Sequence, residues 1–570
     1  MKRLIITLAA VVMAVAASAQ EPKYGWGGML MDKDLLMPAD MIELSQTQFN
    51  FGTARAMAMA GAFTSLGADL SSMSINPAGL GMYRHGDISI TPMMSFARSK
   101  TNAPEYERNS RDRFSMANIG VVINAYEGSG SLVSLNIGFG YNRIADFNYD
   151  YSFQRQGQAA TVGNVYARQL AWGGVSKNDF YTNGGSGNWI WPDDPQYWNA
   201  MLAYRGYLID QTDPDNPESW EPTWVGNNAD IDHFTTLRSK GSVGEYVLSV
   251  GANINNKIYI GASLGIQSVY QRKYIDYGEE YYYPGTGADG HGNSGLDYQL
   301  LWWKLNQSVI VDGTGVNFKA GIVYRPTANL RLGAAIHTPT YYSLDRKFQS
   351  AAAGMAYANN DTDPNVTPDD NNRIPTDPDD PNMVTPLLVD DGPNSWSFVS
   401  PTRLMFGASY TFGERGVISV DYERDWYNGI RIKDNPSGLD SQSWYNDSFR
   451  QHFKGSNIVR VGAEFKPLPV LALRAGFGYS GSMLRDDVLP SSPVIKQTTY
   501  YGAGVGFVLA RGVLLDVAYQ YMSSKTSDYY LFYAWDIPSE VLPEGGRTDS
   551  ALYSTEINRH NVALTLGFRF

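Results

Sequence analysis

The final fourteen residues, Ile557 to Phe570, alternate between apolar and polar positions almost without error. Val562, Leu564, Leu566, Phe568 and Phe570 fall on one side; Asn561, Ala563, Thr565, Gly567 and Arg569 fall on the other. Successive side chains of a strand point to opposite faces, so this segment predicts a strand with one apolar and one wet face. The same period recurs at 87–99, 113–126, 131–153, 243–255, 257–279, 305–325, 329–348, 401–412, 416–432, 456–466, 470–484, 498–510 and 512–526. With the last segment that makes fourteen strands. Short connections fall near Glu127–Gly130, Asn255–Asn256, Pro326–Ala328, Gly413–Arg415, Pro467–Pro469 and Arg511. Long ones fall near 100–112, 154–242, 280–304, 349–400, 433–455, 485–497 and 527–556. Six tight turns and seven long loops, strictly alternating, suit an antiparallel cylinder with both termini at the tight-turn end.

Alternating strands fit a soluble β-sandwich, whose apolar faces meet a second sheet, or an outer-membrane barrel, whose apolar faces meet lipid. Ile258, Ile260, Ala262, Leu264 and Ile266 would point out, with Tyr259, Gly261, Ser263 and Gln267 inside. Leu330, Leu332, Ala334 and Ile336 oppose Arg331, Gly333 and His337. Val459, Val461, Ala463 and Phe465 oppose Arg460 and Glu464, and Leu471, Leu473 and Phe477 oppose Arg474. Val513, Leu515, Val517 and Tyr519 oppose Asp516 and Gln520. An Arg facing lipid at mid-depth costs roughly 2–4 kcal/mol, so in a barrel these arginines must be luminal.

The leading residues favour the membrane. Lys2 and Arg3 precede an apolar run, Leu4 to Ala16, that closes on Ala17-Ser18-Ala19. That predicts a secretory signal over 1–19 and a mature chain from Gln20. The chain has no cysteine, which excludes a lipid-modified Cys, a disulfide scaffold and thiolate metal sites. Its 38 Tyr, 23 Phe, 13 Trp and 57 Gly suit a large barrel with aromatic girdles. A net charge of −12 argues against a nucleic-acid partner and is accounted for by acidic loops. The expectation is an all-β protein: a fourteen-stranded antiparallel transmembrane β-barrel over 87–570, in the outer membrane of a Gram-negative bacterium.

Residues 20–86 do not alternate. Phe51 to Thr64 is small, apolar and flexible, and Asn76-Pro77-Ala78-Gly79 is turn chemistry. Such a segment fits a plug folded back into the lumen or a short periplasmic domain. Gly52-Thr53-Ala54-Arg55-Ala56-Met57-Ala58-Met59-Ala60-Gly61-Ala62-Phe63-Thr64, Asn76-Pro77-Ala78-Gly79-Leu80, the strand count and terminal Phe570 together resemble the FadL/TodX family of outer-membrane transporters for hydrophobic compounds. The resemblance implies a barrel closed by an N-terminal hatch over 20–86, with Arg55, Gly61, Asn76, Pro77 and Ala78 as its marked residues. It implies a hydrophobic small-molecule ligand, outer-membrane lipid as surroundings, and Phe570 as the handle for the barrel-assembly machinery. It also implies a kink in the third strand that opens the wall sideways. Gly138 and Gly140 are the candidates, because glycine inside a strand often marks a bulge or bend. The loops at 154–242 and 349–400 are longer than the resemblance implies.

Loop 154–242 carries Trp172, Trp189, Trp191, Trp198, Trp220 and Trp224. Asp194-Pro195 opens a predicted helix through Ile209, and Trp198, Met201 and Leu202 on it are candidates for an apolar capture groove. The alternative is that they pack the loop onto its neighbours. Arg331, Arg460 and Arg474 could receive a carboxylate head group, or could pair inside the lumen with Glu464, Asp421, Glu423 or Asp516.

Loop 349–400 holds nine Asp against one Arg. Its runs Asp361-Thr362-Asp363-Pro364-Asn365 and Asp377-Pro378-Asp379-Asp380-Pro381 hint at calcium, but Val366 stands where an EF-hand loop needs Gly. A solvated loop is the reading, with no metal and no cofactor. The six His residues show no nucleophile-elbow or metal-ligand spacing, so no enzyme activity is expected. The function expected is passive uptake of hydrophobic small molecules, of the long-chain fatty acid or aromatic hydrocarbon type, by hatch movement and lateral exit. The alternative is a PorV-like secretion-accessory barrel that handles exported proteins. A plug-like segment argues against a general polar porin.

Overall fold

A computed structural model describes residues 29–30, 38–46, 51–107, 109–182, 188–192, 194–223, 230–282, 298–358, 373–376, 380, 383–385, 395–434, 439–486, 488, 492–533 and 549–570. The signal segment 1–19, Gln20, Trp224, and the acidic stretches 361–365 and 377–379 lie outside the described residues.

Fourteen strands form one closed antiparallel cylinder. They are β1 (Asp87–Thr101), β2 (Asn109–Glu127), β3 (Leu132–Asp146, resumed at Tyr149–Gln158), β4 (Asp230–Ile254), β5 (Ile258–Tyr282), β6 (Tyr298–Tyr324) and β7 (Leu330–His337, then Tyr341–Ala358). The second half comprises β8 (Ser395–Val399, then Arg403–Thr411), β9 (Gly416–Trp426, then Arg431–Asp434), β10 (Gly455–Leu468), β11 (Leu471–Ser480), β12 (Ile495–Ala510), β13 (Val513–Thr526) and β14 (Thr555–Arg569). Each pairs with the next, and β14 returns to β1 from Asp87↔Arg569 through Thr101↔Thr555. Closure removes the unpaired edge that an open sheet exposes.

The faces are those the alternation predicts. Ile258, Ile260, Leu264 and Ile266 are 37–47% exposed on the outside, whereas Ser263 and Gln267 are buried inside. In the last strand Val562, Leu564, Leu566 and Phe568 point out, while Asn561, Ala563 and Thr565 are buried. Strand ends differ from expectation. β4 starts at Asp230, not near 243, and β7 runs to Ala358, so the two long loops are shorter than 154–242 and 349–400. The reason lies in the buried face. Thr235 and Ser239 are buried on the same face as Leu237 while Arg238 is exposed, so the buried face here mixes polar and apolar residues and the period of two disappears from the sequence.

Residues Phe51–Tyr83 lie inside the cylinder. Their first helix, α2 (Ala54–Ala58), packs on β11, β12, β13 and β14; the short α3 (Ser72–Ile75) packs on β3, β4 and β5, and the 3-10 turn Pro77–Met82 packs on β3, β4, β5 and β6. Those strands form opposite walls, so the segment spans the bore. A preceding helix, α1 (Pro38–Ser45), sits nearer the loop end with helix α6 (Leu439–His452). Helices α4 (Val162–Gly173) and α5 (Trp198–Arg205) build the cap from the loop between β3 and β4.

Candidate functional site

The inner segment is fastened by its polar atoms. Asn76 is fully buried, and its Oδ1 accepts the Ala78 amide at 3.1 Å, capping the turn that Pro77 begins. Its Nδ2 donates to the Thr64 carbonyl at 2.6 Å and reaches the Ile322 and Ala334 carbonyls of the wall at 3.4 Å. One amide therefore joins two parts of the segment to β6 and β7. The approach needs glycine in the wall: a Cβ on Gly321 would collide with Asn76 Oδ1, and one on Gly261 with the Pro77 carbonyl. Gly61 has φ +72° at the turn that leaves α2, a conformation natural to glycine. Elsewhere Asp421 accepts the Thr64 amide at 2.7 Å, Asn136 donates to Leu80 and Tyr83, and Thr565 accepts the Ala54 amide.

Arg55 ties the segment to β10 through Glu464 at 3.1 Å. Glu464 also holds Arg474 at 2.7 Å, and Arg474 holds Asp516. Arg460 pairs with Glu423 at 2.6 Å and donates to the Tyr500 hydroxyl at 3.0 Å. Arg460 and Arg474 are thus engaged in internal pairs, the alternative named for them beside a ligand head group. The physical reason is burial: an unpaired Glu or Asp in the lumen wall would cost more than a cation left to solvent. Arg331 differs. It makes no ion pair among the described residues and lines a cavity of about 420 Å³ at the tight-turn end, with Arg55, Arg84 and Arg325.

Above the inner segment the lumen holds a packed apolar cluster. Val243, Val269, Val309, Val311, Leu344 and Phe348 from β4 to β7 form one continuous cluster with Met41, Ile42 and Leu44 of α1 and Phe449 of α6. Over it lies the aromatic cap. There Met201 and Leu202 are at most 1% exposed, and Trp198 is 7% exposed with its indole N–H donating to the Pro192 carbonyl. These residues are the core of the cap and do not line an open groove. The helix spans Trp198–Arg205, entered through a 3-10 turn at Pro195–Tyr197, and packs on α4 and β7. Its apolar spacing reads identically for a groove and for a buried helix face.

The wall is interrupted in β3, but not at the glycines. Gly138 and Gly140 are paired on both sides, with Val122 and Gly120 of β2 and with Ser249 and Val247 of β4. Their missing side chains leave room for Met73 and Leu80 of the inner segment. The bulge comes later, between Arg143 and Ala145, and the strand breaks at Phe147–Asn148. The β2–β3 ladder stops at Asn118↔Asn142. Beyond it the two strands are bridged by side chains, Arg111 to Asp150 at 2.6 Å and Arg113 to Asn148 at 2.9 Å. The upper part of β3 instead pairs with Glu105–Glu107 at the top of the window so formed. Asp146 anchors the break by accepting from Arg143, Asn148 and Arg559. Composition gave no hint of this. The bulge depends on which residues of β3 and β4 face each other.

Comparison with known proteins bears on what this arrangement serves. Curated proteins give no match to the chain. Among solved structures it is similar to a Pseudomonas aeruginosa FadL homologue, with 12% identity, 92% of this chain and 100% of that chain covered, and a TM-score of 0.48. The Pseudomonas putida toluene transporter TodX aligns at 12% identity, 91% and 99% coverage and a TM-score of 0.46. The Ralstonia pickettii toluene transporter TbuX aligns at 13%, 91% and 99%, and 0.45. The model of the outer membrane protein transport protein family (OMPP1/FadL/TodX) matches residues 242–530, half of the chain, across β4 to β13. This chain, a closed fourteen-stranded barrel, belongs to that family of outer-membrane transporters for hydrophobic compounds.

Proposed function

We propose that the protein admits hydrophobic small molecules passively: they enter beneath the cap, occupy the apolar upper lumen, and leave sideways between β2 and β3. The observation that carries this reading is the order of environments along the axis. A packed apolar cluster that includes α1 lies above a segment hydrogen-bonded to the wall on both sides, and the β2–β3 ladder ends beside that cluster. Phe147, at the break in β3, belongs to the same cluster. An apolar solute gains by leaving water for such surroundings and then for lipid, so no energy source is needed. The hatch role of residues 20–86, centred on Arg55, Gly61 and Asn76–Ala78, is to block the direct route to the periplasm. The lateral exit lies near Ala145–Asn148, above Gly138 and Gly140. Phe570, 60% exposed at the end of β14, is proposed as the contact for the assembly machinery. No step of this reading is catalytic.

The test is uptake into liposomes containing the purified barrel. Oleate or toluene should enter faster than into empty liposomes, while sucrose permeation stays at background. Sucrose passing as freely as the apolar probes would mean a hydrated pore and defeat the proposal.

A further inference from the structure

The cavity of about 420 Å³ at the tight-turn end is lined by seven cationic side chains and two carboxylates, Glu464 and Asp516. That excess is local, because the whole chain carries a net charge of −12. Both carboxylates are already taken. Glu464 meets Arg55 at 3.1 Å, Arg474 at 2.7 Å and Lys466 at 3.8 Å, and Asp516 is held by Arg474. Arg569, at the rim, pairs with Asp87 at 3.1 Å. Three arginines of the lining remain: Arg84, Arg325 and Arg331 make no ion pair among the described residues.

These three reach the cavity from separate parts of the chain. Arg84 follows the inner segment and precedes β1, Arg325 follows β6, and Arg331 stands at the start of β7. Arg331 is half-buried, and its described polar contact is the Met82 sulfur at 3.9 Å. Arg325 directs two donors to the Ala328 carbonyl, Nε at 3.1 Å and Nη2 at 2.6 Å. Arg84 is exposed at the mouth. An adjoining cavity of about 600 Å³ shares Arg331 and Lys466 and adds one charge of each sign, Arg415 and Glu414, so the excess persists there. A cleft walled by protein and lined by one sign of charge focuses its field, and a bound anion relieves the repulsion.

We propose that this cavity is a binding site for a multiply charged oxyanion of the phosphate class, held by Arg331 with Arg84 and Arg325. Three uncompensated cations exceed what one carboxylate neutralises, whereas a phosphoryl group alone carries about −1.5 to −2. Guanidinium forks also suit phosphate, since each offers paired N–H donors to two oxygens. The site lies across the inner segment from the apolar cluster, so it fills without that segment moving and stands independently of the uptake reading.

Isothermal titration of pyrophosphate into the full-length barrel, in phosphatidylcholine nanodiscs at about 0.15 M salt, tests this. Wild type should bind it saturably. Arg331→Gln breaks no described ion pair and should weaken binding about tenfold or more, the loss expected for a hydrogen bond to a charged group. Lys257→Gln removes the same charge from the same end but from outside the cavity lining, and should leave the affinity unchanged. Should Arg331→Gln fail to fold, the R84Q/R325Q variant carries the same prediction. Discs that contain phosphatidic acid separate two sources of the phosphate. Weaker apparent pyrophosphate binding in them would identify a lipid headgroup as the occupant, and unchanged binding a free oxyanion. No saturable binding to wild type, an Arg331→Gln affinity equal to wild type, or equal weakening by Arg331→Gln and Lys257→Gln would overturn the proposal and leave uptake standing.

Discussion

Single side chains hold the lumen together. Asn76 satisfies a backbone amide and three carbonyls drawn from the inner segment and two strands. Asn76→Ala should leave buried backbone groups unpaired at about 1–3 kcal/mol each. The expected outcome is a barrel that still resists denaturation in detergent but whose residues 51–83 are cut by protease far sooner, checked by limited proteolysis. Gly321→Ala should act alike by pushing Asn76 away. The arginines divide. Arg474→Ala strands Asp516, leaves Glu464 to Arg55, and should destabilise the barrel by about 3–5 kcal/mol, as for breaking a buried pair. Arg331→Ala, which breaks no described ion pair, should change stability by no more than about 0.5 kcal/mol. Calorimetry in one detergent compares the two. Sequence placed all three arginines inside. It could not say which were already paired, because the partners lie on other strands.

Elements show where period and composition suffice and where they do not. Each of the fourteen strands was legible because lipid on one side and a polar lumen on the other impose strict alternation. The upper parts of β4, β6 and β7 were missed because their buried face carries polar residues such as Thr235 and Ser239 beside apolar ones, so the sequence there does not alternate. The bend in β3 was expected at Gly138 and Gly140, and those glycines serve instead to admit Met73 and Leu80. The interruptions at Thr338–Thr340 and Ser400–Thr402 contain Pro339 and Pro401, which lack the amide a ladder needs. If the gap above Asn118↔Asn142 is the exit, the double substitution D150A/N148A removes both side-chain bridges across it. Uptake of oleate by liposomes should then rise severalfold, with sucrose still excluded. An unchanged oleate rate would place the exit elsewhere.

At the scale of the molecule, residues 51–83, which precede the barrel in the chain, pack against its inner wall. Removing residues 20–86 should convert a nearly silent protein into one with steady ion conductance in planar bilayers. No rise in conductance would show that the wall or cap closes the path without them. The lumen holds two kinds of environment that hydropathy cannot separate: a charged, hydrogen-bonded zone around Asn76 and Arg55, and a packed apolar cluster around Val309 and Phe348.

The sequence alone determined that the chain crosses a membrane as strands, how many there are, which residues of Ile258–Gln267 meet lipid, and that Phe51–Leu80 is something other than strand. Those follow from local rules, since each residue's solvent is dictated by its parity along one strand. Tertiary structure alone decided that Asn76 bonds to β6 and β7, that Arg460 and Arg474 are taken while Arg331 makes no ion pair among the described residues, and that the β2–β3 ladder ends at Asn118↔Asn142. These depend on register between strands far apart in the chain, and register is fixed only when the cylinder closes and every luminal charge must find its partner across it.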